Sequence, residues 1–173
     1  MKFDAPDDEA YGRVTDPEKY RSVVEAAREI VDELVRDFAV AISKGTAAKD
    51  FPNWHDPAAT TVRLDPEAGA VLRVLFTDFP GVVIRFGHWG RTAFPTCGCD
   101  ACDERPDELI DEFRQVVSAI TSGGYYEELR GRTLSTRLTG PWGRRGTEHR
   151  LRRAERADYK SEGSHAWPEW PRC

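Results

Sequence analysis

The 173-residue sequence has no long hydrophobic run. Its apolar stretches are as short as residues 82–84, whereas a membrane-spanning helix needs about 20 consecutive apolar residues. An acidic residue, Asp4, already occurs within residues 1–4, and no apolar stretch of signal-peptide length follows them. We therefore expect a cytoplasmic protein with reduced thiols and no contact with a membrane.

The sequence also lacks the short motifs that mark many catalytic sites. It contains no GxSxG elbow, no P-loop and no HExxH helix. The acidic side chains between residues 107 and 112 fall in the first turns of a predicted helix, where they favour the helix dipole and face water. We therefore expect a binding or interaction protein with an unidentified protein partner, and not an enzyme.

Charge is spread unevenly along the chain, whose formal net charge is −5. Residues 130–173 carry eleven Arg or Lys and five Asp or Glu, whereas residues 1–129 carry fourteen and twenty-five. Such an asymmetry is typical of a basic arm that contacts nucleic acid, or of an arm that folds back onto its own acidic body. Because phosphate repels a net acidic protein at long range, we expect folding back, with nucleic-acid binding by the basic C-terminal tail as an alternative.

A long helix is predicted near the N-terminus. Asp16 is a typical helix cap, and Pro17 is a typical first helical residue. Apolar residues then recur at the helical period for about seven turns, from Tyr20 to Ile42. Gly45 is expected to end this helix.

Three strand-like runs follow a predicted loop at residues 46–59. They cover residues 60–64, 71–77 and 82–89, and the short connectors between them are rich in turn residues, which predicts an antiparallel meander. The remaining predicted elements are a second helix at 106–122, an extended piece at 125–130, a strand at 133–139 and a short helix at 147–157. The fold class is therefore predicted to be α+β, with both long helices on one face of a small antiparallel sheet.

The chain is expected to divide into three parts. Residues 1–15 are predicted to form a flexible acidic arm, and residues 16–140 are predicted to form a single α+β domain. Residues 141–173 form an arginine-rich tail that holds three of the five tryptophans. We expect this tail to pack on the domain, because large aromatic side chains anchor an irregular segment by burying apolar area.

Three of the four cysteines, Cys97, Cys99 and Cys102, are close together in the sequence. Thiolates at this spacing can converge on one metal ion where the backbone turns tightly, and Gly98 permits such a turn. We therefore predict a zinc-stabilised turn. A structural zinc site needs a fourth ligand, and His88 is the first choice because it ends the predicted strand that leads to the cysteines. The other candidates are His55, His149, His165, Cys173, Asp100 and Asp103.

Two other interpretations of the cysteines stay open. Cys99 and Cys102 form a CxxC motif just before a predicted helix, whose N-terminus lowers the pKa of a thiol, so a thiol-redox enzyme is an alternative function. The preceding strands, however, indicate a meander and not the βαβ unit of thioredoxin. The cysteines could also be small buried residues that pack a tight turn.

The run from Phe94 to Glu104, with its Cys-Gly-Cys-Asp-Ala-Cys core, resembles the signature of an uncharacterised actinobacterial family that is known only as a domain of unknown function. Residues 107–110 and 123–128 are similar to the same family, as is the Trp-Pro-Arg ending within residues 167–172. The resemblance covers the last half of the chain well and the first half loosely. It implies a class of protein but no activity, and it supplies no catalytic residue.

Overall fold

The structure is a computed structural model that describes residues 11–51, 54–157 and 162–173. It confirms the α+β prediction, because two antiparallel sheets accompany a long N-terminal helix and a second helix after the cysteines. The helices are α1 (Arg21–Asp37), α2 (Ala47–Asp50), α3 (Pro106–Thr121) and α4 (Arg153–Ala157), and a 3-10 turn (Pro17–Tyr20) leads into α1. The strands are β1 (Val40–Thr46), β2 (Thr60–Pro66), β3 (Leu72–Thr77), β4 (Gly81–Phe86), β5 (Gly90–Phe94), β6 (Tyr125–Arg130), β7 (Thr133–Gly140), β8 (Gly143–Arg150) and β9 (Gly163–Ala166).

Helix α1 is shorter than its apolar stripe predicts. Its buried side chains are Val23, Ala27, Ile30, Val31 and Leu34. The predicted end at Gly45 is wrong, because the helix ends at Asp37 and Phe38 already has extended backbone angles, with φ −127° and ψ 148°. The following residues form β1, which pairs with β2 along its whole length. Ile42 fits the helical stripe by spacing, but it is 52% exposed in this strand, where β-branched residues are favoured.

The first sheet has the strand order β1-β2-β3-β4-β5, and every neighbouring pair is antiparallel. The predicted meander is therefore present, with one more strand on each side. The predicted strand over residues 82–89 is wrong at its end, because β4 stops at Phe86 and β5 begins at Gly90. Between them Gly87 has a φ of +58°, a left-handed backbone that glycine adopts readily, and the turn there takes up the last three residues of the predicted strand.

The second sheet has the strand order β8-β7-β6-β9 and is also antiparallel. The predicted short helix at 147–157 is wrong over its first part, because β8 pairs with β7 from one end to the other. Only the last part of that stretch, Arg153–Ala157, is helical. Every residue of β8 is exposed, so this strand has no apolar face that a sequence pattern could reveal.

The main core lies between α1, α3 and the first sheet. Helix α3 begins at Pro106, and its first turn carries Asp107 and Glu108, as the dipole argument predicts. Its buried face reaches β5, where Phe113 packs edge-on against Phe94 with the ring centroids 5.2 Å apart. Among the helices that the structure describes, none has the length and apolar character needed to cross a bilayer.

The C-terminal residues contact both sheets. Strand β9 pairs with β6, while Trp170 is 1% exposed and donates a 3.0 Å hydrogen bond from its indole N–H to the carbonyl of Ala70, next to β3. Trp170 also packs edge-on against Phe38. Of the predicted acidic arm, residues 1–10 lie outside the described residues and residues 11–15 are exposed. The predicted division into three parts stays a prediction, and β7 and β8 pair across its boundary at residue 140.

Candidate metal centre

The loop that joins β5 to α3 brings three cysteine sulfurs together. Cys97 Sγ lies 3.1 Å from Cys99 Sγ, which lies 3.5 Å from Cys102 Sγ. All three sulfurs lie within 4.8 Å of one another. Cys99 is buried, whereas Cys97 and Cys102 are exposed, so the group lies at the protein surface.

Gly98 makes the tight turn between the first two cysteines. Its φ of +79° lies in the left-handed region that favours glycine. A Cβ atom at this position would lie 2.8 Å from Cζ of Phe79 and 3.3 Å from Cγ of Pro95. The backbone angle therefore favours glycine here, and any side chain at this position would also displace the ring of Phe79.

Glu104 holds the backbone of the same loop. Its carboxylate accepts hydrogen bonds from the N–H groups of Thr96, Cys97 and Gly98, at 2.9, 3.0 and 2.9 Å. Burial raises the pKa of Glu104, but the hydrogen bonds from these three N–H groups outweigh burial and leave the pKa below its ordinary value. The ionised carboxylate thus fixes the loop backbone and leaves the sulfurs free to bind.

Asp100 joins the loop to the N-terminal segment. Its carboxylate accepts hydrogen bonds from the Thr15 hydroxyl at 2.6 Å, from the Thr15 N–H at 2.9 Å and from Arg13 Nε at 2.8 Å. The Thr15 hydroxyl, followed by Arg13, lowers the pKa of Asp100 to about 2. Because this carboxylate is bound to the N-terminal segment, it is not available as the fourth metal ligand.

The cysteines differ in acidity. The pKa of Cys99 is lowered, first by the hydrogen bond from the Cys97 thiol and then by the backbone N–H of Cys102. The pKa of Cys102 is raised to about 12, first by its hydrogen bond with Cys99 and then by that with Cys97. Three neighbouring thiolates repel one another, so a cation is needed before all three can ionise together.

The spacing of the sulfurs fits a single metal ion. Tetrahedral zinc, with Zn–S distances of about 2.3 Å, places neighbouring sulfurs about 3.8 Å apart. The observed separations, from 3.1 Å to at most 4.8 Å, bracket this value. The three cysteines can therefore supply three ligands to one ion, and thiolates suit soft or borderline metals.

His88 is not part of this group. It lies in the turn between β4 and β5, at the end of the hairpin where Phe86 pairs with Gly90. The cysteines follow the opposite end of the hairpin, where Val82 pairs with Phe94. Four residue steps along β5 separate the two ends by about 13 Å. The choice of His88 as the fourth ligand assumed one strand leading to the cysteines, but the structure inserts a turn and the whole of β5.

Three other predicted ligands lie on other elements. His165, on β9, packs against His88 with the ring centroids 4.4 Å apart. His149 lies on β8 in the second sheet. Cys173 donates its backbone N–H to the carbonyl of Asp37, at the C-terminal end of α1. None of these three side chains joins the sulfurs of the loop.

Asp103 and His55 lie nearer to the loop. Asp103 follows directly on the last cysteine, and its carboxylate lies 3.6 Å from Lys19 Nζ. His55 is exposed and lines a cleft to which Pro95 and Thr96 also contribute. In the described parts of the chain, the group of side chains that could hold a metal here contains the three cysteines alone. A fourth ligand would then come from water or from another molecule.

Comparison with known proteins adds the family. One family model matches residues 2–173. The chain belongs to DUF6226, a family of unknown function. The prediction that this DUF6226 chain belongs to a family of unknown function is confirmed. The actinobacterial origin that was expected for the family stays a prediction. The search of curated proteins and the search of solved structures each gave no significant match.

Sequence reasoning missed two carboxylates of this DUF6226 fold that accept several backbone hydrogen bonds, Glu127 and Glu104. Glu127, on β6, is fully buried. It accepts hydrogen bonds from the N–H groups of His88 and Trp89, the Tyr125 hydroxyl and the Trp167 indole. A signal for it exists, because Tyr125, Glu127 and Leu129 alternate along one strand and so share its buried face. Glu104 has no comparable signal, since its partners depend on the shape of the loop.

Proposed function

We propose that this DUF6226 protein is a non-enzymatic, cytoplasmic binding protein built around a zinc-stabilised cysteine loop. The observation that carries the proposal is the convergence of three cysteine sulfurs within 4.8 Å on one loop. Gly98 and Glu104 shape that loop through the backbone alone. A metal ion held there would link the end of β5 to the start of α3, so its binding energy would become folding energy.

The exposure of the group supports a role in binding. Cys97 and Cys102 are exposed, so the remaining coordination position can be filled by water or by a donor from a partner protein. The group includes no histidine or carboxylate that could serve as a general base beside the metal. Its composition is therefore that of a site that holds a structure together or contacts a partner.

Metal analysis of the purified, reduced protein tests the proposal. We expect about one zinc per chain, as is usual for one structural site, and loss of that zinc in Cys97→Ser, Cys99→Ser and Cys102→Ser. Cys173→Ser is the matched control, since Cys173 lies at the C-terminal end of α1 and not in the cysteine loop. This variant should keep the metal. A protein that contains no metal and takes up no zinc in equilibrium dialysis would contradict the proposal.

Thiol-redox chemistry at Cys99 and Cys102 is the second candidate. Their sulfurs lie 3.5 Å apart, and the pKa of Cys99 is lowered, first by the Cys97 thiol. Oxidation would join the two sulfurs and pass two electrons and two protons to a disulfide of a partner, which would leave as two thiols. One fast-reacting thiol at neutral pH in a protein that takes up no zinc would favour this candidate.

Nucleic-acid binding by the C-terminal tail has less support. Several of its arginines contact carboxylates of the same chain: Arg145 with Glu112 at 2.9 Å, Arg152 with Glu155 at 3.0 Å, and Arg156 with Glu162 at 2.9 Å. The first pair joins the tail to α3 and favours a tail that folds back, while the other two lie within the tail and neutralise its arginines locally. We therefore expect no retention on heparin at physiological salt, where phosphate-type contacts are strongly screened.

A further inference from the structure

Four arginines form a row across the first sheet. Arg63 lies opposite Arg73, Arg73 opposite Arg85, and Arg85 opposite Arg91, from β2 to β5. Their neighbours along the strands, such as Leu72 and Ile84, are in the core with α1, so the arginines lie on the other face of the sheet. Like charges directly opposite one another destabilise a sheet. Anionic groups that contact this face would relieve the repulsion between the four guanidinium groups.

Protein groups bind three of the four guanidinium groups. These contacts are Arg63 with Asp65 at 2.8 Å, Arg73 with the buried Asp50 at 3.8 Å, and Arg85 with the carbonyl of Asp50 at 2.8 Å. Burial, followed by the charges of Arg63 and Arg85, lowers the pKa of Arg73. Arg91 differs from them, because it is exposed on the edge strand and its side chain has no hydrogen bond or ion pair to any described residue.

Arg91 lines a cleft with a volume of about 380 Å³, which lies beside the cysteine loop. Trp54 and Phe79 line the same cleft, and Phe79 is 38% exposed. The ring of His55 lies 4.8 Å from that of Trp54, and Asp78 lies at the turn between β3 and β4. A concave, mostly apolar lining that includes aromatic rings and a few charged groups is typical of a site for a small molecule.

We propose that this cleft binds a small planar aromatic molecule that carries a phosphate or carboxylate group. Arg91 holds the anionic group through charge-assisted hydrogen bonds, which a guanidinium can make in pairs. Trp54 and Phe79 contact the aromatic body. The size of the cleft, near the lower end of small-molecule pockets, fits such a ligand. The site is separate from the metal centre, since none of the three sulfurs lines it.

NMR titration with three probes tests the proposal. Phenyl phosphate contains the ring and the anion, inorganic phosphate contains the anion alone, and benzyl alcohol contains the ring alone. We expect phenyl phosphate to shift the amide resonances of cleft residues such as Phe79 and Ala93. Its dissociation constant should be at least about tenfold lower than that of either half, because each half loses one set of contacts.

Variants at the cleft complete the test. Arg91→Gln should weaken phenyl phosphate binding about tenfold, whereas Arg91→Lys should retain most of it because the charge remains. Arg114→Gln, on the exposed side of α3 and outside the cleft, is the matched control and should bind as the wild type does. Asp78→Asn should bind the anion at least as well. Equal weakening in the Arg91→Gln and Arg114→Gln variants, equal affinity for inorganic phosphate and phenyl phosphate, or loss of binding in Asp78→Asn would overturn the proposal.

Discussion

The carboxylate of Glu127 and the indole N–H of Trp167 are joined by a hydrogen bond of 2.8 Å, although 40 residues separate them in the sequence. The same carboxylate accepts the N–H groups of His88 and Trp89, in the turn between β4 and β5. Glu127 has no exposed surface, and a buried carboxylate is tolerated only when hydrogen bonds replace its water. This side chain therefore connects the two sheets with the C-terminal segment.

Replacing Glu127 by glutamine should destabilise the protein. The amide group keeps one acceptor oxygen for two of the four donors and would turn its own N–H groups towards the other two, leaving buried groups without partners. We expect the free energy of unfolding, measured by urea denaturation, to fall by about 2–3 kcal/mol. Glu128→Gln is the matched control, because Glu128 pairs with the exposed Arg130 and should cost less than about 0.5 kcal/mol. Equal losses in the two variants would show that the buried network contributes nothing special.

Trp170 should be the main anchor of the C-terminal segment. Its side chain is 1% exposed, bonds to Ala70 and packs against Phe38, so Trp170→Ala would leave a large cavity. We expect a loss of about 3–5 kcal/mol in urea denaturation. Trp142, which is partly exposed in the turn between β7 and β8, serves as the control and should cost clearly less. An unchanged unfolding curve for Trp170→Ala would show that the segment adds no stability.

Ile30 and Leu34 test the packing of α1. They are 5% and 6% exposed and face the core between α3 and the first sheet. Each alanine substitution should lower the free energy of unfolding by about 2–5 kcal/mol, because it removes buried methyl groups and leaves a cavity. Glu29→Ala, on the exposed side of the same helix, should change it by less than about 0.5 kcal/mol. A loss for Ile30→Ala as small as that of the control would contradict this packing.

The helices and the central strands could be predicted because each carries its own pattern. The stripes of α1 and α3 repeat at the helical period, and β3 and β4 are buried on both faces as their apolar runs indicate. Strand β8 could not be predicted in this way, because all its residues are exposed and it forms only by pairing with β7. Spacing alone was misleading at Ile42, where the helical stripe continues into a strand.

The site was predictable in composition but not in geometry. The close spacing of Cys97, Cys99 and Cys102 and the turn at Gly98 are local, so the sequence indicates them. The position of His88 depends on the hairpin turn at Gly87, and that turn is held by Glu127 from another sheet. Contacts of this kind, between residues far apart in sequence, have no local signature.

Asp100 should make the stability of the N-terminal segment depend on pH. The Thr15 hydroxyl, followed by Arg13, holds its pKa at about 2, below the ordinary value of 3.8. A carboxylate whose pKa is lowered by folding stabilises the folded state above its ordinary pKa, and this contribution is lost as the pH falls through the folded value. Asp100→Asn should therefore be less stable than the wild type at about pH 6, and the difference should close between about pH 4 and pH 2.

Urea denaturation across this pH range measures that difference. Asp103→Asn is the matched control, because Asp103 lies on the same loop but its side chain is exposed. Its carboxylate is paired with Lys19 across a long N–O distance of 3.6 Å. The control should differ little from the wild type at any pH, as exposed ion pairs contribute little. A difference between Asp100→Asn and the wild type that persists undiminished at pH 2 would show that it does not arise from ionisation of this carboxylate.

Zinc should stabilise the protein through the cysteine loop. Because the ion would bind the folded loop and not the unfolded chain, free zinc at 100 times its dissociation constant should add about 2.7 kcal/mol to the free energy of unfolding. A chelator should lower the melting temperature, and added zinc should restore it. Cys97→Ser, Cys99→Ser and Cys102→Ser should each lose most of this response, whereas His88→Ala should keep it, since His88 lies at the other end of the hairpin. If neither chelator nor zinc changes the melting temperature of the wild type, the loop binds no zinc and is a packed turn. If the wild type does respond to zinc but His88→Ala does not, then His88 is a ligand and the geometry assigned here to the fourth ligand is wrong.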